Sequence, residues 1–173
     1  VANLVRRQFC ASASNRLWCS DITYVWTREG WLYLAMVLDV YSRRIVGYAL
    51  GARLSATLVT EAVEQAIRMR TVTAETIFHS DRGSQYASRE LQSILQRHGL
   101  RQSMSSTGSC YDNAMAESFF HTLKTELIYW QRYETRDQAA HSIFEYIEIF
   151  YNRHRRHSAL GYRSPVDFEQ LHS

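Results

Sequence analysis

Three acidic residues of this 173-residue chain stand where an apolar core has no use for charge. Asp21 interrupts Trp18 to Trp26, a run rich in aromatic and β-branched residues that reads as a strand. Strands are depleted in Asp. Asp81 follows a short strand pattern and opens Asp81-Arg82-Gly83-Ser84-Gln85-Tyr86. Open sheets commonly bind ligands just beyond the carboxyl ends of their strands. Glu117 lies in a helical pattern, within Asn113-Ala114-Met115-Ala116-Glu117-Ser118-Phe119-Phe120. Each acid has an ordinary reading too: an edge-strand Asp facing solvent, a turn-opening Asp and an exposed helical Glu. Carboxylates brought into one pocket repel and raise one another's pKa, and a divalent cation relieves that repulsion. Ligands that are all oxygen favour Mg²⁺ or Mn²⁺ over zinc.

The elements that must position these acids follow from hydrophobic periodicity. After the strand of Asp21, Thr27 to Gly30 reads as a turn, and Trp31 to Val40 is apolar enough for a strand covered on both faces. Tyr41 to Arg43 turns again before a third strand, Arg44 to Leu50. Such short connections imply an antiparallel meander. The period then becomes helical: Leu58, Val59, Ala62, Val63, Ala66 and Ile67 share one face behind Ser55, a candidate N-cap. Thr76 to His79 is a short strand, Ser88 caps a helix through His98, and Leu100 to Met104 forms a fifth strand. A helix is expected from about Asp112 to Tyr129. A last one runs from Arg136 to Tyr151 with Ala140, Ile143, Phe144, Ile147 and Phe150 inward. The expectation is an α/β fold, a five-stranded mixed sheet with helices on both faces. One domain spans 1–173, with an N-terminal arm to about residue 16 and a basic tail from about 152 to 173.

Composition narrows the function classes. With 46% hydrophobic residues the chain is globular. No apolar run is long enough for a bilayer span, and Val1 to Cys10 lacks an apolar signal core, so a cytoplasmic protein is expected. Cys10, Cys19 and Cys110 read as free thiols. The net charge of +3 hints only mildly at a polyanionic partner, whereas Arg153 to His157 concentrates basic groups. There is no G-x-S-x-G elbow and no P-loop. His154 and His157 sit among arginines that repel a metal cation. The eleven tyrosines invite a tyrosine-recombinase reading, but the acids argue against it.

Thirty-five residues separate Asp81 from Glu117. With Asp21 upstream, this order and spacing resembles the retroviral-integrase-type DDE recombinases. More closely, it resembles the insertion-sequence transposases of the IS-three family. The segments that carry the resemblance are Trp18 to Tyr24, Leu38 to Gly47, His79 to Tyr86, Asp112 to Glu126 and Tyr151 to Pro165, nearly the whole chain. The resemblance implies a ribonuclease-H-like fold in which the first and fourth strands are neighbours, so that Asp21 lies beside Asp81. The helix of Glu117 would cross the sheet's end. It implies a polynucleotidyl transferase that nicks element ends and joins the freed 3′-hydroxyl to another phosphodiester. Two Mg²⁺ or Mn²⁺ ions about 3.5–4 Å apart would serve that in-line displacement.

Further residues take their roles from the same comparison. Lys124, two turns beyond Glu117, would contact a DNA phosphate; otherwise it is a solvated lysine. Asn113 either caps the helix or touches substrate. His121 shares that face, and Asp39, at the end of the second strand, supports the site from behind or merely starts a turn. Arg153, Arg155, Arg156 and His157 would track DNA phosphates or else complement a helix dipole. Ser105 to Ser109 resembles a mobile active-site loop, or is a plain connector. The implied partners are element ends, target DNA, further copies of the chain on DNA, and a helix-turn-helix module from an upstream frame. That module has no counterpart in this segment, so DNA binding with little sequence preference is expected. Two alternatives stand: another ribonuclease-H-like nuclease, and an inactive transposase remnant that only binds DNA.

Overall fold

The computed structural model describes residues 1–6, 10–106 and 113–173. Strands β1 (Leu17–Thr27), β2 (Gly30–Asp39) and β3 (Ile45–Gly51) form the expected antiparallel meander. Helix α1 (Ala56–Met69), β4 (Ile77–Ser80), α2 (Arg89–Arg97) and β5 (Arg101–Met104) follow. The sheet order is β3-β2-β1-β4-β5, with β4 parallel to both neighbours. Ser55 and Ser88 accept hydrogen bonds from the Leu58 and Leu91 amides, so both caps fall where the sequence put them.

Pleating gives the sheet two covered faces. Leu34, Met36 and Leu38 of β2 pack with α3 (Ala114–Glu126) and α4 (Arg136–Glu145), while Ala35 and Val37 pack with α1 and α2. Gly47 of β3 is where α1 comes closest. A Cβ there would lie 2.2 Å from the Ala62 carbonyl oxygen and 2.9 Å from the Ala66 nitrogen. Backbone cannot yield as a side chain can, so Gly47→Ala is expected to destabilise the fold by about 2–3 kcal/mol, read as a lower urea midpoint.

Two helices depart from expectation. Helix α3 stops at Glu126 and gives way to a 3₁₀ turn, Ile128–Trp130, instead of running to Tyr129. The Trp130 indole N–H donates to the Thr125 carbonyl at 2.8 Å and holds the tightened turn. The expected start at Asp112 lies outside the described residues. After Glu145, α4 widens into a π-helical turn, Tyr146–Tyr151. The inward residues are Ala139, Ile143, Tyr146, Ile147 and Tyr151, whereas Phe144 and Phe150 are 47% and 42% exposed. Apolar residues line two adjacent stripes here. The stripe with tyrosines goes inside because the Tyr146 hydroxyl has an acceptor, Glu126 Oε2 at 2.6 Å. The wider turn then rotates Tyr151 inward.

The chain after α4 folds back on the sheet edge. Asn152 is buried, accepts from the Ile45 amide at 2.9 Å and donates to the Ile45 carbonyl at 3.0 Å, serving β3 as a missing strand partner. Asn152→Ala would leave two backbone groups unpaired. The expected cost is about 2–4 kcal/mol, visible in a chemical melt. Helix α5 (Pro165–Leu171) brings Glu169 to Ser42, Arg44 and Arg70.

Candidate active site

Parallel pairing of β1 with β4 sets Cys19 opposite His79. Two residues further along each chain, past the last paired residues, are Asp21 and Asp81, near enough for the charge of Asp81 to act on Asp21. Asp81 lies just past β4, exposed, its Oδ1 accepting from the Gly83 amide at 2.7 Å. Glu117 is exposed in the first turn of α3, the helix packed against β1. Asp21 is partly buried and accepts from the Ile22 amide at 2.8 Å. Its carboxyl is pushed up to about 6, chiefly by burial, with the charges of Asp81 and Glu117 acting the same way. The Ile22 amide and the Asn113 side chain oppose the rise. The three acids thus share one electrostatic neighbourhood. Among the described residues no three Asp, Glu, His or Cys side chains close into a ready metal cage. The donor set is nevertheless all oxygen, which fits a hard divalent cation.

Asn113 makes no side-chain cap on α3, although it occupies the N-cap position. It is buried, its side chain acts to lower the pKa of Asp21, and its Oδ1 has no partner among the described residues. The capping reading is therefore set aside.

Support from below comes from residues that periodicity alone did not single out. The buried Tyr86 hydroxyl lies 2.9 Å from Ser20 Oγ, which donates to the Met36 carbonyl at 2.8 Å. Burial holds Tyr86 well above the usual phenol range, so it stays a donor. His79 Nδ1 lies 2.9 Å from Ser103 Oγ and ties β4 to β5 beneath Asp81. Polar side chains inside strand patterns were the available signal. Cys19, buried beside Asp39 and Asp21, is pushed up to about 12 and is an inert thiol.

The flanking residues divide. Lys124 is partly exposed, with Nζ 5.7 Å from the Tyr24 ring centre, and His121 is exposed one turn beyond Glu117. Asp39 does not support the acids. It pairs with Trp18, three residues down β1 from Asp21, and accepts from Asn15, Tyr41 and Arg70. It joins an ionic network with Arg70 and Glu169 that fastens the chain's two ends. Arg153 and Arg156 are exposed, whereas Arg155 is held by Glu126 at 2.8 Å. His157 is buried against Tyr151, with ring centres 5.2 Å apart. Burial and the charges of Arg155 and Arg43 lower its pKa to about 4, so it is neutral at physiological pH and does not belong to an exposed basic track. Ser105 is buried and bonded to the Ser80 carbonyl at 2.9 Å; residues 107–109 of the suspected mobile loop lie outside the described residues. Among the described residues no helix is long and apolar enough to cross a membrane.

Comparison with known proteins shows the family and the fold. Residues 11–110 match one family model described as integrase core domain, and residues 117–172 match a second with the same description. The chain is 47% identical over 167 residues to the transposase InsF for insertion sequence IS3A of Escherichia coli K12, covering 96% of this chain and 58% of the relative. It is 49% identical over 168 residues to the insertion element IS600 31 kDa protein of Shigella sonnei, covering 97% and 62%. The chain thus spans about three-fifths of the length of these curated relatives. Among solved structures, the HTLV-2 integrase catalytic core domain in complex with magnesium superposes with a TM-score of 0.71 at 13% identity, over 92% of this chain and 99% of that one. A chain of a simian T-cell lymphotropic virus intasome gives 0.74 at 16% identity, over 98% and 58%. The fold is ribonuclease-H-like, and the chain belongs to the integrase core domain family.

Proposed function

We propose that this chain is the catalytic core of an insertion-sequence transposase, which cuts DNA strands and joins a 3′-hydroxyl to a new phosphodiester. What supports the reading is the parallel register of β1 on β4, which runs toward Asp21 and Asp81, with α3 and its Glu117 packed against β1. Asp21, Asp81 and Glu117 would hold one or two Mg²⁺ or Mn²⁺ ions. Such ions, when bound, polarise the phosphodiester and lower the pKa of the attacking hydroxyl. Asn113, buried next to Asp21 and favouring its ionised form, would help aim the carboxylate. Glu117 completes the set from a helix that already carries Lys124 two turns on, suited to a phosphate of the same strand. Arg153 and Arg156 offer further exposed charge for the DNA backbone. Donation from Tyr86 to Ser20 keeps the floor of the site rigid.

The expected partners are element ends and target DNA, an upstream helix-turn-helix segment for end recognition, and further copies of the chain on DNA, in the bacterial cytoplasm at the nucleoid. The test is a strand-transfer assay on labelled oligonucleotides with a free 3′-hydroxyl, in Mg²⁺ or Mn²⁺. Joined products support the reading. Nicks alone would point to a ribonuclease-H-like nuclease, and binding without either product to an inactive remnant.

A further inference from the structure

Strand β1 pairs with β4 only through Leu17, Trp18 and Cys19, yet β1 runs on to Thr27. Beyond Cys19, on the side away from β2, no strand pairs with it among the described residues. Beside this free edge lies an open groove of about 570 Å³, whose other wall is the end of α3 and the 3₁₀ turn that follows it. Its lining combines Tyr24, Trp26 and Tyr129 with Arg28, Lys124 and Arg132. The chemistry of the carboxylates has no use for these rings.

The rings come first. Tyr24, Trp26 and Tyr129 are 56%, 58% and 71% exposed, and large apolar side chains gathered at one surface mark a binding site. Two of them are held in place. Trp31 meets Tyr24 and Trp26 edge-on, with ring centres 4.9 Å and 4.8 Å apart. A ring fixed in advance loses little freedom when a flat ligand stacks on it. Charge is the second feature. Among the described residues no Asp or Glu lines the groove. Lys124 and Arg132 make no ion pair among those residues, and Arg28 meets only the exposed Glu134, at 3.4 Å. A symmetric pairing of two copies through this face would set these cations against their own counterparts, which disfavours a second copy as the occupant. Position is the third. Lys124 follows Glu117 on α3 by about 10 Å along the helix axis, so a strand held at the acids can continue into the groove.

We propose that this groove takes unpaired bases of a DNA strand, stacked on Trp26 and Tyr129, and so gives the chain a preference for single-stranded or frayed DNA over a closed duplex. This rests on the reading of the chain as a strand transferase, for which DNA is the substrate. Aromatic faces beside a cationic rim suit a flexible polyanion that carries flat rings, and every base has a face to stack, so sequence matters little. Bases in a closed duplex are already stacked on one another and cannot enter. Binding here therefore draws on the bases themselves and differs from a contact to phosphate alone.

The test uses the 173-residue chain in EDTA, so no metal-dependent step enters. Affinity is measured by anisotropy across a salt series for two labelled strands of equal length and charge, an oligothymidylate and a strand of abasic units. The unaltered chain is expected to bind the oligothymidylate about tenfold more tightly. Trp26→Ala is expected to remove most of that preference and Trp26→Phe to keep it, because phenylalanine still offers a ring. Tyr129→Ala, on the opposite wall, is expected to reduce it as well. The slope of log affinity against log salt should be the same in Trp26→Ala as in the unaltered chain, since stacking releases no counterions. Equal affinity of the unaltered chain for the two strands would overturn the proposal. So would a loss in Trp26→Ala that is the same for both strands, or a dimer in sedimentation that Trp26→Ala dissolves, which would make this face a contact between copies. A base preference that survives without any strand transfer would sink the catalytic reading alone, and strand transfer without base preference would sink the groove alone.

Discussion

Asp81→Asn and Glu117→Gln are each expected to lower metal-dependent strand transfer at least about a thousandfold while leaving the fold intact. The magnitude follows from the role proposed for them. Losing one carboxylate from a hard-cation site removes several kcal/mol of transition-state charge stabilisation, and about 1.36 kcal/mol corresponds to tenfold in rate. The fold is spared because both residues are exposed. In Asp81→Asn the amide side chain also retains an Oδ1 to accept from the Gly83 amide, the bond that shapes the turn. Lys124→Gln provides the contrast: a lost phosphate contact weakens DNA binding roughly tenfold and more so at low salt, with the chemical step retained at saturating DNA. Single-turnover assays at saturating DNA, with circular dichroism of each variant, make the comparison. Strand transfer within tenfold of the unaltered chain in Asp81→Asn or Glu117→Gln would remove that acid from the site.

The second large effect concerns Asp21 in the metal-free chain. Its pKa rises from 3.8 to about 6 on folding, first through burial and then through Asp81 and Glu117. The folded state therefore holds a proton that the unfolded chain releases earlier. Between about pH 4 and pH 6 the native protein binds more protons, so stability falls as pH rises through that window. The full shift corresponds to about 3 kcal/mol, and solvent screening of a partly exposed group reduces this to about 1–2 kcal/mol. Asp21→Asn cannot ionise and escapes the loss. In EDTA above pH 7 it should melt a few degrees higher than the unaltered chain, while near pH 4 the two should coincide. Mn²⁺ should raise the melting temperature of the unaltered chain, since a ligand of the folded state stabilises it, and raise that of Asp21→Asn less. Thermal melts across pH, with and without Mn²⁺, provide the measurement. Equal metal-induced shifts in the two proteins would show that Asp21 is not a ligand.

Much of this protein was legible in one dimension. The meander, the strand–helix alternation and both serine caps depend on residues close in sequence, and each lies within a residue or two of its expected place. The three acids were conspicuous as charges in an apolar pattern, and the register of β1 on β4 runs toward two of them. Position in a pattern did not reveal what each polar group faces. Asp39 looked like a neighbour of the acids, but its partners Arg70 and Glu169 come from distant parts of the chain and draw it into a different network. His157 looked like one of a basic run, but the chain's return over Tyr151 buried it and took its charge away. Asn113 had two roles open until the structure showed that its side chain makes no cap on α3 and lies buried instead. In α4 the apolar residues offered two stripes, and only a distant acceptor, Glu126, made it favourable for the stripe with Tyr146 to go inside. Periodicity reports which residues share a face. Burial energy and hydrogen-bond partners, which come from residues far away in sequence, decide which face is covered and which polar groups keep their charge.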